Sequence, residues 1–138
     1  MTAKEYMSQA FHIDQQINSK LEQLQTLRDL ATKTTAPMND MPGSPTRNIS
    51  KMEDAVLKIV ALSEEINADV DRLVDLKVEI THVIKNVDDA ECALLLELRY
   101  LCFKTWEQIA VELNYDIRHI YRLHQQALRS ISVPGSDS

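Results

Sequence analysis

The stretch Thr105-Trp-Glu-Gln-Ile-Ala-Val-Glu-Leu-Asn-Tyr-Asp-Ile-Arg-His-Ile-Tyr-Arg-Leu-His-Gln-Gln-Ala-Leu-Arg-Ser130 decides how the chain folds. Thr105 and Gln108 form a capping-box pattern, in which each side chain can satisfy a backbone N–H of the other, so a short helix starts there. Ile109, Ala110 and Leu113 follow at helical steps and face inward. Asn114 tolerates the left-handed conformation that ends a helix sharply, and Asp116 can cap a second helix from Ile117 to about Ser130. A helix-turn-helix needs a small residue where its helices cross, a turn residue four positions later, and apolar residues that pin the second helix. Ala110, Asn114, and Ile120 with Leu123 meet those needs in that order.

Burying Ile120, Leu123, Ala127 and Leu128 leaves Arg118, His119, Tyr121, Arg122 and Gln125 on the outer N-terminal half of the last helix. That half enters the major groove when this motif binds double-stranded DNA. Arginine pairs bidentately with guanine and glutamine with adenine, which makes these five the candidate base-reading residues. Lys104, Thr105 and Trp106 begin the preceding helix and are placed to grip backbone phosphate through side chains and free N–H groups. Exposed Arg and Gln are also ordinary surface residues, and Trp106 would serve equally as core.

Upstream, Asp88 or Asp89 can cap a further helix running to about Phe103, with Ala93, Leu94, Leu96, Leu98, Tyr100 and Leu101 at its apolar positions. Cys92 and Cys102 both fall in it, about 15 Å apart at roughly 1.5 Å per residue, whereas a disulfide needs Cα atoms within about 7 Å. Free thiols are expected, as in a reducing cytoplasm.

The first two-thirds of the chain carries two long apolar stripes at three- and four-residue steps. One, from Tyr6 through Ile13, Ile17, Leu21, Leu24 and Leu27 to Ala31, predicts a helix over about 2–34 that opens with the Thr2 and Glu5 capping box. The other, Met52, Val56, Ile59, Ile66, Val70, Leu73, Ile80, Ile84 and Val87, is close to a heptad seam and predicts a helix over about 50–87, opened by Ser50 and Glu53. Prolines at 37, 42 and 45 predict a loop over 35–49. The outer face of the second helix is acidic, with Glu53, Asp54, Glu64, Glu65, Asp69, Asp71, Asp75 and Glu79.

The expected architecture is all-α. Residues 1–87 form a long antiparallel helical hairpin, coiled-coil-like, for oligomerisation or partner docking; 88–131 form a three-helix helix-turn-helix domain; 132–138 are a disordered tail. The stripes leave apolar surface that a second copy could cover. The expected oligomer seam is Ile13, Ile17 and Leu24 on the first helix with Val56, Ile59, Ile66, Val70, Leu73 and Ile80 on the second, in a homodimer or higher homo-oligomer.

The formal net charge of −6 opposes phosphate binding by the chain as a whole. The answer is local: from Asn114 to Ile131, Arg118, Arg122 and Arg129 face Asp116 alone, and His119 and His124 can add positive charge. Gly43 and Gly135 are the two glycines, which excludes a glycine-rich phosphate loop. The N-terminus lacks a signal-peptide layout, and no apolar run approaches the roughly 18 residues of a membrane span, so no membrane partner and a cytoplasmic location are expected. His12, His82, His119 and His124 show no metal-ligand spacing, and no Ser or Cys sits in a nucleophile motif. No catalytic residue, metal or cofactor is expected, and the chain is not read as an enzyme.

The run Leu96-Glu-Leu-Arg-Tyr-Leu-Cys-Phe-Lys-Thr-Trp-Glu-Gln-Ile-Ala-Val-Glu-Leu113, with Asp116, Ile120 and the closing Gln126-Ala-Leu-Arg129, resembles region 4 of sigma-70-type factors over the last third of the chain. The resemblance implies recognition of a promoter-like element in duplex DNA and contact with RNA polymerase. Ile117 and Tyr121 stand where sigma factors often place basic side chains, so a target sequence does not transfer. The whole chain, with Met1-Thr-Ala-Lys-Glu-Tyr6, Met41-Pro-Gly-Ser-Pro45 and Leu98-Arg-Tyr-Leu-Cys-Phe-Lys-Thr-Trp-Glu-Gln-Ile-Ala110, resembles a family of small phage and prophage proteins akin to ArpU- and RinA-type late-gene regulators. This implies transcription regulation in the cytoplasm of a bacterial host cell. The competing expectation is a protein-interaction module that binds RNA polymerase or another regulator through the acidic hairpin, its helix-turn-helix being structural.

Overall fold

The computed structural model describes residues 1–35 and 45–134. The chain is all-α: two long helices, α1 (Ala3–Thr35) and α2 (Pro45–Lys85), precede three short ones, α3 (Ala90–Leu96), α4 (Trp106–Leu113) and α5 (Ile117–Arg129). A π-helical turn over Glu97–Leu101 extends α3. No strand occurs among the described residues.

Thr2 caps α1 as the sequence implies, its hydroxyl accepting the Glu5 N–H at 3.1 Å. Helix α2 starts at Pro45, five residues before the expected Ser50. Proline disfavours a helix interior, but at the first position the missing N–H has no intrahelical partner to lose and the fixed φ already suits the helix. The rest of the expected loop, 36–44, lies outside the described residues. After Lys85, the N–H groups of Asn86 and Val87 bond back to the Val83 and Ile84 carbonyls at 3.2 and 2.9 Å, which tightens and ends the helix.

The chain forms two compact units, Gln15–Asp71 and Met1–Asp14 with Arg72–Ser138. In the first, Ile17 and Leu24 of α1 and Ile66 of α2 are buried. Asp69, expected on the acidic outer face, is buried as well, and its carboxylate accepts the Lys20 ammonium at 2.6 Å. This changes the register of α2. Its inward columns are Ile59, Ile66, Leu73 and Ile80, as expected, together with Leu62, Asp69, Leu76 and Val83. Val56 and Val70, placed on the seam by the sequence pattern, are exposed, while Ile13, Ile59 and Leu73 are half-buried. An aspartate paired with a lysine can fill a core column that an apolar count passes over.

In the second unit, Tyr6, Met7 and Ala10 of α1 share one core with Ile80, Val83, Ile84 and Val87, with Cys92, Leu95, Leu96 and Tyr100, and with Ile109, Ile120, Leu123 and Ala127. The start of α1 is thus part of the core around the three short helices, and the compact units divide within the long helices rather than at residue 87. Full burial of a side chain such as Met7 or Ile84 stabilises by about 1.5–3 kcal/mol, so these residues contribute heavily to a domain of this size. Val133, expected in a disordered tail, also packs half-buried against this core.

Asp89 caps α3, its carboxylate accepting the N–H groups of Glu91 and Cys92 at 2.9 and 3.1 Å. The helix expected to reach Phe103 changes character first. The Cys102 N–H bonds to the Glu97 carbonyl at 3.0 Å, a five-residue step that marks the π turn, and Phe103 then adopts φ 57°. The Phe103 ring rests edge-on against Phe11 at 5.7 Å, with the Lys77 ammonium 4.7 Å from its centroid. Those contacts hold a bulky residue in a left-handed conformation that only tertiary packing sustains. Cys92 is buried and Cys102 exposed, both as free thiols. Burial, followed by Asp89 and Glu91, pushes the Cys92 thiol above its ordinary pKa.

Candidate nucleic-acid interface

The two-helix motif at the C-terminal end is set by its caps. Thr105 Oγ1 accepts the Gln108 N–H at 3.2 Å and Gln108 Oε1 accepts the Thr105 N–H at 2.9 Å, a complete capping box. At the far end of α4, Asn114 takes φ 60° and ψ 45°, and the Tyr115 N–H bonds back to the Ala110 carbonyl at 3.0 Å. This is the backbone arrangement of a Schellman ending, with asparagine in place of the usual glycine. Asp116 has the extended backbone of an N-cap, and its carbonyl accepts the Ile120 N–H at 3.1 Å. Its carboxylate makes no capping bond, contrary to the expectation from residue type.

Helix α5 buries Ile120, Leu123, His124 and Ala127 and turns Arg118, Tyr121, Arg122 and Gln125 outward. These four of the five expected base-reading residues are exposed on one helix. The fifth, His119, is half-buried, its ring 4.4 Å from that of Tyr115 in an edge-on contact. Tyr115 is itself tied to α3 by a hydroxyl donated to Glu91. Tyr121, Arg122, Gln125, Gln126 and Arg129 line a shallow surface concavity. Among the described residues, no carboxylate pairs with Arg118, Arg122 or Arg129. Three guanidinium groups on one face thus remain available for an anionic or base-edge acceptor.

His124 does not add charge to this face. It is 4 % exposed, shares a 2.6 Å hydrogen bond with the Tyr100 hydroxyl, and lies 4.5 Å from the Trp106 ring. Burial, followed by the nearby Lys4 and Arg99 charges, pushes its pKa down to about 4, so the imidazole is neutral at pH 7. Burial likewise pushes the Tyr100 hydroxyl up to about 12. The expectation that His124 contributes positive charge fails because α5 turns it into the core, at the step after Leu123.

The three expected phosphate contacts are already engaged within the chain. The Lys104 ammonium pairs with Glu112, and its carbonyl accepts Arg99 Nη1 at 3.0 Å. Thr105 is exposed but its hydroxyl serves the capping box. Trp106 is half-buried, edge-on to Tyr121 at 5.8 Å, with the Arg99 guanidinium over its ring 4.3 Å from the centroid. It braces α5 against the π turn. Arg99 and Lys4 gave no signal in the sequence, because no local pattern places a π turn or brings residue 4 beside residue 99; Tyr100 was expected at an apolar position of its helix, but its bond to His124 was not.

Among the described residues, no cluster of His, Cys, Asp or Glu could hold a metal ion, and no helix is long and apolar enough to cross a membrane. These features define an all-α protein with a C-terminal helix-turn-helix. The chain belongs to the DUF1492 family, described as protein of unknown function, which matches residues 42–132. No curated protein and no solved structure matches it.

Proposed function

We propose that this chain is a sequence-specific DNA-binding regulator of transcription, of phage or prophage type, that inserts α5 in the major groove and acts with RNA polymerase at a promoter. The observation that carries the reading is the outer face of α5, where Arg118, Arg122 and Arg129 stand with Tyr121 and Gln125 and pair with no carboxylate among the described residues. A helix fixed at its start by the Asn114 turn and braced by Trp106 holds such side chains in register with base edges. The likeness of residues 96–129 to region 4 of sigma-70-type factors supports contact with polymerase. The protein acts by binding, without catalysis, and as a homodimer.

Selection from a pool of random duplex DNA at fixed salt tests this. The expected product is a bipartite motif whose half-sites lie about 34 Å, or a multiple of it, apart. Arg118→Ala and Arg122→Ala should each cost about 1–3 kcal/mol and relax preference at one base pair. A folded Arg118→Ala, Arg122→Ala double variant that still regulates would move the function to protein interaction. That second reading is favoured by the acidic surface of α2, where Glu53, Asp54, Glu64 and Glu65 are exposed.

A further inference from the structure

Away from the outer face of α5, Lys4 and Ser8 of α1, Arg99 of the π turn, Phe103 and Trp106 line a cavity of about 90 Å³ that is more enclosed than the concavity on α5. We propose that this cavity is an oxyanion site that takes a phosphate-class group.

Size admits such an occupant: the cavity's volume of about 90 Å³ is several times what a single water needs, room enough for a tetrahedral oxyanion. Charge selects its sign. Lys4 and Arg99 supply two cations, no carboxylate lines the cavity, and neither cation is paired with one among the described residues. Their field reaches His124, where both charges help to keep the imidazole neutral. Donors are at hand as well: Arg99 uses one N–H on the Lys104 carbonyl and stands over the Trp106 ring, which leaves further N–H groups of its fork for an oxygen acceptor, in a cavity that Ser8 also lines. Phe11, Phe103 and Trp106 give the cavity apolar walls beside its cations, which strengthens such charge-assisted bonds.

The backbone points to the same place. The π turn that carries Arg99 and the left-handed Phe103 are both departures from relaxed geometry, and both form the cavity wall. Departures of this kind concentrate where a chain positions groups for a ligand. The phosphate group has two possible sources, the backbone of duplex DNA or a free phosphate. In the first case the inference rests on the DNA-binding function proposed above; in the second it stands alone.

The test is a titration of the full chain with inorganic phosphate at constant ionic strength, read by the fluorescence of Trp106, the single tryptophan. A saturable change, absent with chloride, is expected. Lys4 is exposed, so Lys4→Ala should fold, and loss of one charge-assisted contact should weaken phosphate by about tenfold. Lys51→Ala, at an exposed position of α2, should leave it unchanged. Duplex DNA binding against salt separates the sources: a slope reduced by about one in Lys4→Ala assigns the DNA backbone, and an unchanged slope with the phosphate response intact assigns a free anion. No saturable phosphate response, together with an unchanged slope in Lys4→Ala, overturns the site while leaving DNA binding in place. If no duplex is bound at all, the phosphate titration alone decides.

Discussion

His124 shows how one residue couples the core to pH. The imidazole sits under Trp106 and against Tyr100, and its folded pKa of about 4 lies below the ordinary histidine value near 6.5. The unfolded chain therefore binds a proton that the folded chain refuses, and stability rises with pH across that interval. The contribution is fully present above about pH 6.5 and is lost as pH falls toward 4. Between pH 6.5 and 5, above the range where most carboxylates titrate, the loss should reach about 1–2 kcal/mol once solvent screening is allowed for. Urea unfolding followed by Trp106 fluorescence at a series of pH values measures it. His124→Leu should flatten the slope in that window, and an unchanged slope would assign the pH dependence to other groups.

At the scale of elements, the α4 to α5 motif was legible because its signals are local. Thr105 with Gln108, Asn114, and the spacing of Ile109, Leu113, Ile120 and Leu123 act within a few residues of one another, and the structure uses each of them. Where structure depends on partners distant in sequence, the pattern misleads. Asp69 reads as a surface acid until Lys20 is beside it. The end of α3 was misplaced because the π turn and Phe103 are held by Phe11 and Lys77, which lie on other helices. The turn itself can be tested. Asn114→Gly should keep or raise stability by up to about 1 kcal/mol, since glycine carries no steric penalty at positive φ. Asn114→Val should lose about 1–2 kcal/mol, because a β-branched side chain resists the left-handed region. Thermal unfolding of the two variants reads the difference, and equal melting temperatures would show that the turn is not under this constraint.

For the whole molecule, the question is how the proposed binding to duplex DNA is compatible with a chain of net charge −6. Affinity for duplex DNA scales with the phosphates neutralised, and one copy offers Arg118, Arg122 and Arg129 on α5. The carboxylates of α2 work against approach, so a single copy should bind weakly and lose that binding steeply with salt. Two linked copies change the arithmetic, because the second engagement becomes intramolecular and can raise affinity by about 10²–10⁴ without a new contact. A face available for linking copies is Val56, Leu57 and Val60 of α2, apolar side chains exposed among the described residues. A Val56→Glu, Val60→Glu double variant should therefore sediment as a monomer, keep the folded signal of Trp106, and lose DNA affinity by at least about a hundredfold with α5 untouched. Unchanged mass in the variant would place the contact elsewhere on the chain. A monomeric wild-type protein that binds a single half-site at full strength would show instead that α5 suffices, and that the acidic helices serve another partner.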